Sequence, residues 1–89
     1  MPKARIRIAD EFIYALSEGY SERVLDQIRK LIELLPENPL MGSSDVRECL
    51  TRLYGPKLRK LPVSSFVIIY RYENDTVDVL ALVYGPTII

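Results

Sequence analysis

The stretch at residues 59–89, RKLPVSSFVIIYRYENDTVDVLALVYGPTII, constrains the fold of this chain more than any other. Two runs of β-branched, aromatic and aliphatic residues, SSFVIIYRY and TVDVLALVY, flank the polar turn END. Such runs form strands, and Asn74 and Asp75 tolerate the positive φ that a tight hairpin demands. With strict alternation, Phe66, Ile68, Tyr70 and Tyr72 share one face of the first strand, and Val67, Ile69 and Arg71 share the other. In the second, Val77, Val79, Ala81 and Val83 lie opposite Leu80, Leu82 and Tyr84. Both faces of both strands are largely apolar, so the sheet needs a cover on each side. The preceding KLRKLPV reads as a third strand of an antiparallel meander, with Pro62 marking an edge or a bulge.

The first half of the chain supplies the covers. ARIRI (4–8) alternates Arg5 and Arg7 with Ile6 and Ile8, a short strand with one wet face. In DEFIYALSEG, Phe12, Ile13 and Leu16 recur at helical spacing. Asp10 and Glu11 suit the start of that helix and Gly19 its end. The clearest helix is YSERVLDQIRKLIELLPENP, where Val24, Leu25, Ile28, Leu31, Ile32 and Leu35 make one apolar stripe. Ser21 caps it, and Pro36 with Asn38–Pro39 stops it. Together these two helices form an αα-hairpin that covers one face of the sheet. After the loop LMGSS, Val46, Leu50, Leu53 and Tyr54 predict a short third helix. Asp45 and Glu48 form its capping box, and Gly55–Pro56 ends it. The expected fold is α+β, a helical hairpin on a small twisted antiparallel sheet, in the order β-α-α-(short α)-β-β-β. One domain spans residues 1–89, and the first strand joins the sheet at the side of the meander or beside its last strand. The remaining apolar face awaits the third helix, a second copy of the chain, or another protein.

Charge is balanced overall, with 12 basic and 12 acidic residues, but it is not evenly spread. From Cys49 to Tyr72 the chain carries Arg52, Lys57, Arg59, Lys60 and Arg71 and no acid. A local positive field of this kind attracts nucleic acid or an acidic protein, or simply protects a sheet edge. The chain contains no histidine, which removes the commonest general base and metal ligand. Neither a metal site nor a cofactor is expected. Cys49, the sole cysteine, fits a reducing cytoplasm and reads as a small semi-buried side chain of the third helix. Tyr70, Tyr72 and Tyr84 read as packing groups, since an ordinary tyrosine is a poor acid near neutral pH. No signal segment opens the sequence and no apolar run reaches membrane-spanning length, so a cytoplasmic protein is expected.

The element order, ENPLMGS after the long helix, and above all LRKLPVSSFVIIYRYENDTVDVLALVYG (58–85) resemble the RelE/ParE toxin superfamily of bacterial type II toxin–antitoxin modules. The phrase LRKLPVSSFVIIYR and the strand pattern V-x-V-L-x-L ending in Gly85 are most similar to the ParE branch. The resemblance implies a toxin held in check by a cognate antitoxin. In the ParE branch the target is DNA gyrase. The RelE branch acts as a ribosome-dependent mRNA endonuclease. That branch places a basic residue inside the middle strand of the meander, where this chain has Val67. It also places an arginine after the last strand, where Pro86 and Thr87 stand, and a C-terminal acid, where the sequence ends at Ile89. Lys60 is the one match to a ribonuclease position. The resemblance therefore implies target binding over RNA cleavage. A ribosome-dependent nuclease is the alternative, and a non-toxic interaction module on the same scaffold is the third. Arg52, Lys57, Arg59, Lys60 and Arg71 are the expected target-binding patch. Val67, Ile69, Leu80, Leu82 and Tyr84 are the expected antitoxin or partner surface, which a homodimer could also use.

Overall fold

A computed structural model describes residues 3–18 and 20–85 of the chain. The expectations placed on Gly19, Pro86, Thr87 and Ile89 lie outside these residues. The elements run β1 (Arg5–Ile8), α1 (Asp10–Leu16), α2 (Glu22–Leu34), α3 (Glu48–Tyr54), β2 (Leu58–Val63), β3 (Phe66–Glu73) and β4 (Thr76–Tyr84). They form the expected α+β arrangement. The sheet order is β1-β4-β3-β2. β2, β3 and β4 make the antiparallel meander, and β1 pairs parallel to β4. The sheet is therefore mixed and not antiparallel throughout. The two hairpin helices, α3, β2 and β3 all lie between β1 and β4, which is ample chain for the crossover that a parallel pair needs.

Local chemistry explains the turns. Asn74 (φ 53°) and Asp75 (φ 58°) both adopt positive φ between Glu73 and Thr76, which are cross-strand partners. This two-residue connection matches the twist of the strands it joins. The Ser21 hydroxyl accepts from the Val24 N–H at 3.3 Å and caps α2 as expected. The helix start expected at Asp45 is displaced to Glu48, with Arg47 at the N-cap position and no side-chain cap. Asp45 lies two residues before that N-cap, in a local turn where its N–H is held by the Ser43 hydroxyl at 3.1 Å. Cys49, expected to be semi-buried, is exposed.

Cross-strand partners share a face, so the register separates two cores. On the first face, Phe12 of α1, Ile28 of α2 and Leu35 pack against Leu61, Ile68, Tyr70, Val77 and Val79. Burying Ile28 alone contributes about 1.5–3 kcal/mol of transfer free energy. On the second face, Leu50 packs with Leu58, Val67, Ile69 and Ala81, and Val46 and Tyr54 close the margin. α3 is thus the cover for the face that the hairpin leaves open. β4 does not alternate strictly. Ile69 pairs with Ala81 but Tyr70 pairs with Val79, so Leu80 is an extra residue in a β-bulge. The bulge moves Ala81 and Val83 to the α3 side and Leu82 to the hairpin side. The grouping of Val77, Val79, Ala81 and Val83 on one face is corrected accordingly.

Candidate functional site

Two sheet edges are handled differently. β2 is covered by the loop that follows α2: Ser43 and Lys60 exchange backbone hydrogen bonds of 2.9 and 2.8 Å. The loop is held there by buried chemistry. The Tyr70 hydroxyl accepts from the Gly42 N–H at 2.9 Å and donates to the Pro39 carbonyl at 2.9 Å. The Arg59 guanidinium donates to the carbonyls of Gly42 and Leu40. By contrast, β1 has a strand on one side only among the described residues, and all four of its own residues are exposed. Beside it lies an apolar groove of about 310 Å³ formed by Ile8, Leu16, Leu25, Ile28 and Ile32, with Arg29 and Glu33 at its rim. An open strand edge next to an apolar groove is a surface suited to an added peptide segment.

The five cations read from the sequence do not form one patch. Arg59 shares the face of its partner Tyr70, on the hairpin side, while Lys60 and Arg71 face α3. Arg59 is a strut for the 40–42 loop. Arg52 pairs with Glu48 at 3.0 Å and Lys57 with Glu73 at 3.3 Å. Arg71 donates to the Tyr54 carbonyl at 2.9 Å, which satisfies a carbonyl at the C-terminus of α3. Arg71 also lies 3.9 Å from Asp78, which Arg7 engages from the other side at 2.7 Å. This cross-strand Arg7–Asp78–Arg71 row joins three strands. Lys60 is the one of the five whose side chain meets neither an acid nor a backbone carbonyl among the described residues. Three of the five cations in the acid-free window from Cys49 to Tyr72 thus meet acids, Glu48, Glu73 and Asp78, that lie just outside it in sequence and beside it in space.

The expected partner surface is also divided. Val67 and Ile69 are buried beneath α3, at 9% and 0% exposure. Leu80 lies at the margin of that same core, whereas Leu82 packs on the hairpin side. Tyr84 is half exposed, with its ring 5.7 Å from that of Phe66. Phe66 in turn meets Tyr20 edge-on at 4.8 Å, which ties the start of α2 to the sheet.

The contact that sequence reading missed joins α3 to α1. The Tyr54 hydroxyl donates to both carboxylate oxygens of Glu11, at 3.0 and 3.2 Å. Burial pushes the Tyr54 phenol above its ordinary range, and the hydrogen bond to Glu11 and the charge of Glu11 push it further. The neutral phenol is the bonded form. Its contribution to stability is therefore complete below the ordinary tyrosine value and fades as pH rises through the raised folded value. Unfolding in urea at about pH 9 and about pH 11 should show a larger loss for the native chain than for Tyr54→Phe, because the ordinary phenol titrates near pH 10. Equal losses would mean that the bond contributes nothing. No local spacing signals a contact between residues 43 positions apart on different helices.

With this geometry in place, the relatives can be set beside it. The family profile described as "ParE toxin of type II toxin-antitoxin system, parDE" matches residues 3–85. No curated protein sequence matches the chain significantly. Among solved structures, the toxin–antitoxin complex RelBE2 from Mycobacterium tuberculosis contains a similar chain, with TM-score 0.72 and 15% identity over 92% of this chain and 98% of that one. The intact RelBE toxin–antitoxin complex of E. coli contains another, with TM-score 0.58 and 19% identity over 91% and 95%. At these identities the structural likeness establishes a shared fold. Among the described residues no helix is long and apolar enough to cross a membrane.

Proposed function

The chain belongs to the ParE toxin family of type II toxin–antitoxin systems, and from that membership we propose that it inhibits growth by binding an intracellular target, DNA gyrase, in the cytoplasm. A cognate antitoxin neutralises it. The family match over residues 3–85 carries this reading. The packing of α3 onto the second sheet face supports binding over RNA cleavage. Val67 stands where a ribonuclease of this superfamily carries a cation, and it sits in an apolar core with Leu50 and Ile69. Inducing the chain without an antitoxin tests the proposal. Filamentation with DNA damage and intact mRNA is the expected result. Prompt translation arrest with mRNA cut at codons would assign the ribosome instead, and unimpaired growth would leave a non-toxic interaction module.

The antitoxin is placed at the open β1 edge and the groove beside it, where an extended or helical segment can add its apolar side chains. Ile8 is 41% exposed at the mouth of that groove, so its replacement leaves the cores intact. Ile8→Asp should weaken antitoxin binding by about 2 kcal/mol, or roughly 30-fold, as the loss of an apolar anchor does. Titration calorimetry with the protein encoded beside this chain checks it. An unchanged affinity would move the antitoxin to another surface.

A further inference from the structure

A second cleft lies across β4 from the sheet interior, and its chemistry differs from that of the β1 groove. β1 pairs with β4 only as far as Val79, so residues 80–83 continue with no strand on their outer side among the described residues. α1 flanks this free length on one side and the end of α3 on the other. Between them is a cavity of about 540 Å³ with residues 81–83 as its floor. Glu11, Tyr14 and Glu18 project into it from α1 and the turn that follows, and Tyr54 from α3. Every charged group of this lining is an acid. The Glu11 carboxylate is already held in place by the Tyr54 hydroxyl, which leaves it further lone pairs to accept from. Tyr14 is 73% exposed and offers an open ring face.

We propose that this cleft receives an arginine side chain carried on an extended segment of a partner protein. The guanidinium donates to Glu11 and Glu18, its plane rests on the tyrosine rings, and its stem lies along Leu82 and Val83. Arginine fits better than lysine, because its planar fork pairs with a carboxylate through two hydrogen bonds, sheds water more readily and stacks on aromatic rings. The free length of β4 favours an extended backbone over a helical one. Nucleic acids and anionic membranes are repelled by the same two glutamates. The proposal does not depend on which protein supplies the segment, nor on the β1 groove.

The test is an amide-shift titration of the isotopically labelled full chain with the blocked peptide Thr-Val-Arg-Val-Thr. The same peptide with citrulline in place of arginine is the control. Saturable shifts confined to residues 11–18, 54 and 80–83 are expected, with citrulline binding about tenfold weaker, as loss of a charge-assisted pair predicts. Glu18→Gln, which leaves the Tyr54–Glu11 bond untouched, should weaken the arginine peptide several-fold with an otherwise unchanged spectrum. Equal binding of the two peptides, shifts elsewhere, or no saturable shift would overturn the proposal. So would a concentration-dependent mass increase abolished by Arg5→Ala, which would assign the cleft to β1 of a second copy.

Discussion

Ile69→Ala should destabilise the chain by about 2–5 kcal/mol, the range for a large aliphatic residue cut back in a close-packed core. Ile69 is fully buried and sits centrally in the core under α3, with Leu50, Leu58, Val67 and Ala81. A domain of this length is stable by on the order of 5–10 kcal/mol, so the loss removes a large share of what holds it folded. Urea unfolding should show a lower midpoint with an unchanged slope. Leu53→Ala, on α3 itself but 74% exposed, should stay within about 0.5 kcal/mol. An Ile69→Ala midpoint as unaffected as that of Leu53→Ala would mean that α3 does not cover this face in solution, and the face would return to being a partner surface.

The second large effect is expected at Gly42. A Cβ there would lie 2.7 Å from the Lys60 carbonyl oxygen and 2.7 Å from the Tyr70 hydroxyl. The first of these atoms is backbone, held in the bridge to Ser43, and cannot move without opening it. Gly42→Ala should cost about 1–3 kcal/mol through overpacking. In a thermal melt that is a drop of about 4–8 °C for each kcal/mol. Tyr70→Phe removes the hydroxyl that serves Gly42 and Pro39 and should cost about 1–3 kcal/mol by leaving those groups unpaired. The double variant should cost less than the two singles together, since removing the hydroxyl relieves one close contact and leaves those with the Lys60 oxygen and the Tyr70 Cε1. Strict additivity would show that Tyr70 and Gly42 do not meet.

The elements were legible because their signals are local. The apolar stripe of α2 from Val24 to Leu35, the Ser21 cap and the Asn74–Asp75 turn each depend on neighbours a few residues away. The faces of β4 were not, because alternation has no marker for a bulge within a run as uniformly apolar as VDVLALV. One extra residue at Leu80 reassigns every side chain beyond it. The basic patch failed for a similar reason. A window free of acids in sequence says nothing of Glu48, Glu73 and Asp78, which the strand register and the helix ends bring in from outside it. Arg59 could not be told from Lys60 by type, yet one braces a loop inside the fold and the other faces α3. The link from Tyr54 to Glu11 spans 43 residues and depends on how α1 and α3 sit on the sheet, which no local pattern encodes.

The parallel pairing of β1 with β4 also governs when the molecule can exist at all. Arg5 is matched to Thr76, so the earliest strand to be synthesised waits for the latest. At about 5–20 residues per second, translation leaves β1 without its neighbour for roughly 4–14 s. During that interval the hairpin helices have no β4 to pack on, and β3 lacks one of its two neighbouring strands. A nascent chain arrested before Thr76 cannot close the sheet, whatever else it has formed. A partner that reads β1 as a paired strand is therefore a ligand of the closed sheet, and its opportunity opens only after β4 has left the ribosome.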